Sequence, residues 1–216
     1  MIDLFPTPLF KFDVPGSQKL NKEIIDYVLE TEKNTKTTSE AFSLKGKNGW
    51  HSKDDLAELD FEWSQHLRYI IVDTLKACVG EMGWGDQIKP YGLDDFHIKC
   101  WAMVMRTGDY STPHTHPGCD FSGVYYLQVP DMPETEGNIC FMDPRGGARG
   151  SRTFGSNQHV FHPIESEGYI FPNWLDHYVQ CHFTEGTRIS LSWNILLPDQ
   201  PATPEQLQRI EDQKKV

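Results

Sequence analysis

Apolar positions along the chain change their period near residue 88. Ahead of that point they recur at helical spacing; beyond it they alternate or cluster in short runs. Leu20, Ile24, Tyr27 and Val28 fall on one helical stripe, and Ser17 stands where an N-cap is expected. Trp63, Leu67, Ile70, Ile71, Leu75 and Cys78 form a second stripe, predicting a helix from Asp60 to Cys78 with Gly80 as its stop. Between the two, Thr31 to Lys53 is polar and reads as a long loop carrying "NGWHS". Leu4, Phe5, Leu9, Phe10 and Phe12, interrupted by Pro6 and Pro8, have the pattern of an edge strand.

Past residue 88 come "FHIKCWAMVM", "FSGVYYLQV", "NICFMD", "HVFHPI", "GYIFP", "HYVQCHF" and "RISLSWNIL". All are short, rich in β-branched and aromatic residues, and separated by Gly, Pro, Asp and Asn. Such a succession predicts an antiparallel β core closed as a barrel or jelly roll. The expected organisation is one domain over residues 1–200, with helical support over about 17–80 and a β core over about 88–198. Thr203, Pro204 and Gln206 open a C-terminal tail helix over 201–216, which docks weakly because only Leu207 and Ile210 are apolar.

Composition narrows the function. With 31 acidic against 20 basic residues the formal charge is −11, a poor match to nucleic acid or an anionic membrane surface. The five cysteines are scattered with no CxxC pair, so neither a disulfide framework nor a zinc knuckle is indicated and a reducing cytoplasm is expected. The sequence predicts neither a signal peptide nor a membrane-spanning apolar run. GxGxxG after a strand, GxxxxGK[ST] and GxSxG are all missing, which removes the common nucleotide and acyl-transfer machinery. No cysteine sits in a context that would lower its pKa, although a cysteine nucleophile stays open. The glycine- and arginine-rich segment 145–156, with Arg145, Arg149 and Arg152, is either a rim over a site or a solvated hairpin loop.

Histidine remains. His114 and His116 in "STPHTHPGCDF" are two residues apart, so an extended backbone turns both imidazoles to one side, and Pro113 and Pro117 stiffen it. That is the arrangement of a chelating pair, with a polar turn as the competing explanation. A third ligand must come from a distant strand, and His177 in "IFPNWLDHYVQ" is the best placed. His51, His66, His97, His159, His162 and His182 are assigned no metal role. In "RISLSWNIL", Arg188, Ser190, Ser192 and Asn194 share one strand face, opposite Ile189, Leu191, Trp193 and Ile195. An arginine heading the polar face of a core strand requires an anionic partner, either an internal carboxylate or a bound one that Ser190 could also contact.

The order HxH, "YYL" strand, distal His and R-x-S resembles the Fe(II)/2-oxoglutarate-dependent oxygenases. More narrowly, the chain resembles a group of these whose substrates are undetermined. The matching text is "LFPTPLFKF", "GWHS", "HTHPGCDFSGVYYLQVP", "FMDPR", "FPNWLDH" and "RISLSWN", spanning nearly the whole chain to about residue 198. The resemblance implies a double-stranded β-helix, the jelly-roll fold shared with cupins, and a hydroxylase using Fe(II) with 2-oxoglutarate as cosubstrate. It places His114 as first ligand and His177 as distal ligand. Arg188, Ser190 and Tyr126 would hold the far carboxylate of 2-oxoglutarate. His116 stands where the family has a carboxylate, so three histidines are expected to hold the metal, with Asp120 as the alternative to His116. The departure keeps open a cupin-type metal enzyme without 2-oxoglutarate and a non-catalytic β-sandwich. Protein side chain, small molecule, nucleobase and lipid all stay open as primary substrate, and oligomeric state leaves no mark in the sequence.

Overall fold

The computed structural model describes residues 6–38, 49–88, 91–147 and 157–198. The predicted tail helix, Leu4 and Phe5 of the first strand, and Arg149 and Arg152 lie outside them.

All seven β-rich runs become strands. β1 (Phe10–Asp13), α1 (Gln18–Asn34), β2 (Trp50–His51), α2 (Glu62–Glu81) and α3 (Gly85–Ile88) come first. β3 (His97–Met105), β4 (Ser111–His114), β5 (Phe121–Gln128), β6 (Ile139–Met142), β7 (Gln158–Phe161), β8 (Glu167–Pro172), β9 (His177–Val179) and β10 (Arg188–Leu196) follow. Two antiparallel sheets result: a six-stranded one in the order β1-β8-β5-β10-β3-β2, and a four-stranded one in the order β4-β9-β6-β7. This is the predicted mainly β jelly roll, a double-stranded β-helix supported by N-terminal helices.

Strand alternation gives the six-stranded sheet two cores. Ile189, Leu191, Trp193 and Ile195 of β10 face the helices and pack with Ile24 and Val28 of α1 and Leu67, Ile71 and Leu75 of α2. Fully burying each aliphatic side chain contributes about 1.5–3 kcal/mol. The close packing needs glycine opposite the largest ring: a Cβ at Gly123, the cross-strand partner of Trp193, would lie 2.3 Å from the indole. On the other face, Val124, Tyr126, Tyr169 and Phe171 meet Ile139 and Phe141 of the smaller sheet.

Three boundaries differ from the sequence reading. α1 extends to Asn34, and β2 falls inside the supposed loop. α1 does begin after Ser17, yet the Ser17 hydroxyl donates to Ser166 Oγ (2.7 Å) instead of capping the helix. α2 runs through Gly80 and stops at Gly83, whose φ of 79° is left-handed. There the Gly83 N–H donates to the Gly80 carbonyl and the Trp84 N–H to the Val79 carbonyl, the paired bonds of a Schellman cap. Among the described residues no helix is long and apolar enough to cross a membrane.

Candidate metal centre

The smaller sheet carries two of the three predicted histidines. β4 pairs with β9 so that His114 stands directly across the ladder from His177. His116 does not share β4, which ends at His114. Its position is fixed by backbone instead: its N–H donates to the Asn173 carbonyl (2.9 Å), and Asn173 Nδ2 donates to the His116 carbonyl (3.2 Å). Asn173 sits in the turn between β8 and β9, so one short segment holds both His116 and His177. The HxH pair therefore converges through a turn rather than through the uniform extension expected of it.

Ring centroids lie 4.4 Å apart for His114–His177, 5.0 Å for His116–His177 and 5.1 Å for His114–His116. One ring nitrogen from each lies within 4.8 Å of the other two. Nδ1 of His114 donates to the Thr112 carbonyl (2.8 Å) and Nδ1 of His177 to the Leu175 carbonyl (2.9 Å). Because a carbonyl only accepts, these contacts assign the proton to Nδ1 in both rings and leave Nε2 as the lone-pair donor. Nε2 of His116 and Nε2 of His177 are 3.2 Å apart. A cation binding two imidazoles at right angles and about 2.1 Å each would hold them about 3 Å apart.

Burial keeps these rings neutral. It pushes the His177 pKa down to about 3 and that of His116 down to about 4, with the neighbouring His114 adding a smaller depression to each. His114 is also lowered by burial, opposed by its bond to Thr112 and by the charge of Asp176. At neutral pH the cluster offers three uncharged nitrogen donors, the form a divalent ion requires.

The cluster opens on a cavity of about 490 Å³ between the sheets, lined also by Trp101, Met103, Ser192 and Asn194. The Trp101 ring lies nearly parallel to His116, 5.9 Å away at 28°. Arg188 and Ser190 line the same cavity, and Arg188 is 1% exposed. Its Nη1 donates to Ser190 Oγ (3.2 Å) and approaches Met105 Sδ (3.6 Å), while Nε and Nη2 have no hydrogen-bond partner. The Tyr126 ring lies 5.0 Å below the guanidinium, and its buried hydroxyl is likewise unmet. Burial raises the Tyr126 pKa and lowers that of Arg188, each partly offset by the other. Among the described residues, no carboxylate pairs with Arg188 as a structural salt bridge would require.

Asp120 is exposed, and its Oδ2 accepts the Leu197 N–H (2.8 Å) at the end of β10. It belongs neither to the histidine cluster nor to the cavity lining. Arg145 pairs with Asp143 (2.8 Å) and is half exposed, away from that lining. His162 bonds Asn138 and His182 bonds Thr184, and neither belongs to the histidine cluster. Burial raises the thiol pKa values of Cys78, Cys100, Cys119 and Cys140, that of Cys78 to about 12, so the structure offers none of these as a thiolate nucleophile.

His51 was passed over in the sequence and lines the cavity. Register explains it: Tyr126, Ser190, Met103 and His51 form one row across β5, β10, β3 and β2. Its neighbours in "GWHS" are anchors. A Cβ at Gly49 would strike the Val104 carbonyl at 2.4 Å, Trp50 enters the helix-side core, and Ser52 Oγ accepts the Ala102 N–H (2.9 Å). The readable signal was that alternation: a core Trp followed by a His must turn the His to the other face.

Residues 99–194 match the model of a family described as "Putative 2OG-Fe(II) oxygenase". The matched stretch runs from β3 to β10 and includes His114, His116, His177, Arg188 and Ser190. Solved structures share the architecture of this chain at low identity. A Pseudomonas putida prolyl-4-hydroxylase is 13% identical with a TM-score of 0.61, over 88% of this chain and 93% of its own. A viral collagen prolyl hydroxylase from Paramecium Bursaria Chlorella virus-1, solved as its 2OG complex, is 13% identical with a TM-score of 0.57, over 87% and 94%. A non-heme alpha-ketoglutarate-dependent epimerase from nogalamycin biosynthesis is 12% identical with a TM-score of 0.58, over 88% and 79%. No curated protein matches the chain in sequence. Hydroxylases and an epimerase on one scaffold show that the fold does not select the reaction outcome or the substrate.

Proposed function

We propose that the chain is an Fe(II)- and 2-oxoglutarate-dependent oxygenase, a hydroxylase in which His114, His116 and His177 hold the metal and Arg188, Ser190 and Tyr126 hold the cosubstrate. The observation that carries this reading is a buried guanidinium with two unmet donors in the same cavity as three converging neutral imidazoles. Arg188 Nε and Nη2 form a planar fork that suits a carboxylate bidentately, and its binding would relieve the cost of the unmatched charge. The protonated Tyr126 hydroxyl, beside that fork, can donate a third bond. A ligand with one carboxylate there and a chelating end at the histidines is a short dicarboxylate, which is the shape of 2-oxoglutarate.

Fe(II) with 2-oxoglutarate supplies the oxidising power, coupling release of succinate and CO₂ to hydroxylation of a C–H bond by O₂. The chain's part is orientation and exclusion of water. The Thr112 and Leu175 carbonyls aim two of the ligands, the Asn173 turn fixes the third, and Trp101 packs over His116 at the side of the cavity. His51, Trp101, Ser192 and Asn194 form the wall available to a primary substrate.

Anaerobic addition of Fe(II) and 2-oxoglutarate should produce the weak visible charge-transfer band of the chelate. No band at saturating iron and cosubstrate would sink the proposal. Arg188→Ala should remove the band while metal is retained at high iron concentration.

A further inference from the structure

Among the described residues, three charged side chains line the cavity: Lys53, Asp54 and Arg188. Lys53 and Asp54 are exposed at the rim, and Asp54 lies 3.4 Å from Lys99 outside it. In the depth of the cavity the fixed charge is Arg188, buried and without a carboxylate partner. Among the described residues the metal-ligand cluster contains no carboxylate, and Asp176, beside His177, influences His114 from outside the lining. A divalent ion entering this cavity is therefore held by neutral donors in the field of an unbalanced cation. Low-dielectric surroundings strengthen that repulsion.

We propose that Fe(II) and a dicarboxylate dianion bind this cavity as an obligatorily coupled pair, each weak alone, because His116 in place of a carboxylate leaves the dianion to offset most of the combined charge of metal and Arg188. The inference rests on the oxygenase reading and adds to it a mutual control of occupancy. A ligand set containing a carboxylate offsets part of the metal's charge before any cosubstrate arrives. Here that offset comes from the cosubstrate. Binding linkage makes the effect reciprocal: the factor by which 2-oxoglutarate raises Fe(II) affinity equals the factor by which Fe(II) raises 2-oxoglutarate affinity. Retention of iron would then follow the supply of the dianion.

Anaerobic equilibrium dialysis of Fe(II) against the full chain tests this without turnover. Saturating 2-oxoglutarate should raise Fe(II) affinity by more than about tenfold, toward the upper end of ordinary binding couplings. Saturating 2-oxobutyrate, with the same chelating end and no far carboxylate, should raise it several-fold less. His116→Asp should bind Fe(II) more tightly than wild type without 2-oxoglutarate and show a smaller enhancement with it. Arg188→Met should also gain Fe(II) affinity in the absence of 2-oxoglutarate, a direction that loss of a merely structural arginine would not produce. If that variant does not fold, the 2-oxobutyrate comparison on the wild-type chain decides. Equal Fe(II) affinity with and without 2-oxoglutarate overturns the coupling and leaves metal binding intact. No Fe(II) retained under either condition overturns the oxygenase reading, and the coupling with it.

Discussion

Strand β10 has two faces that solve opposite problems. Toward the helices, Ile189, Leu191, Trp193 and Ile195 are all 1% exposed or less, and packing alone accounts for them. Toward the cavity, Arg188 and Ser190 are equally buried, but two of the Arg188 donors are unmet. On the helix face of β10, Trp193 Nε1 is also unmet. That donor is neutral and sits on a ring whose buried area outweighs it, whereas an unmatched guanidinium is a charge removed from water. Equal burial thus means satisfied packing on one face and, on the proposed reading, a place for an anion on the other.

Acid should separate the two faces most sharply. His116 and His177 have folded pKa values near 4 and 3, below the ordinary value of 6.5, so the unfolded chain binds more protons than the folded one as pH falls. Their contribution to stability is intact above pH 6.5 and is lost progressively from there down to the folded values. At pH 5 each would cost up to about 2 kcal/mol, about 4 together, at roughly 1.4 kcal/mol per pH unit. Urea midpoints of metal-free protein should fall steeply between pH 6.5 and 4.5. A flat profile would mean that these rings are not held neutral.

Leu191→Ala attacks the helix face. Its side chain is fully buried against α1 and α2, and the cavity left should cost about 2–5 kcal/mol. Chemical denaturation should show that loss, while Fe(II) and 2-oxoglutarate affinities of the folded fraction stay unchanged. Arg188→Met makes the reverse cut. Stability should hold or rise, since a buried charge is exchanged for an apolar chain of similar length. Affinity for 2-oxoglutarate should fall about 100-fold, or about 2.7 kcal/mol. Leu191→Ala lowering cosubstrate affinity as much as Arg188→Met would erase the distinction between the faces.

The difference also explains what the sequence disclosed. The alternation in "RISLSWNIL" announced both faces, because a strand must send successive side chains to opposite sides. Arg188 stood out because its charge conflicts with a core strand, and the HxH spacing stood out because chelation requires proximity. β2 was hidden: two residues inside a polar stretch carry no period of their own, and the strand exists because Gly49 lets it approach Val104. His51 was hidden with it. The true stop of α2 was obscured because Gly80 and Gly83 are both plausible caps, and only the chain's reversal selects Gly83. The turn that places His116 could not be foreseen, since Asn173 is 57 residues away.

The smallest expected effect lies within the cavity face itself. Ser190 Oγ accepts a bond from Arg188 Nη1 at 3.2 Å, so the serine steadies the guanidinium whose other donors would take the carboxylate on the proposed reading. Ser190→Ala removes that acceptor and keeps the charge. A hydrogen bond of this kind contributes about 0.5–1.5 kcal/mol, so 2-oxoglutarate affinity should weaken by roughly two- to tenfold. The electrostatic coupling should survive, because no charge has changed: the ratio of Fe(II) affinities with and without saturating 2-oxoglutarate should fall by no more than that same factor. Dialysis of Ser190→Ala beside Arg188→Met therefore separates the two jobs of the cavity face. A serine variant as damaging as the arginine variant would mean that orientation, rather than charge, governs the site.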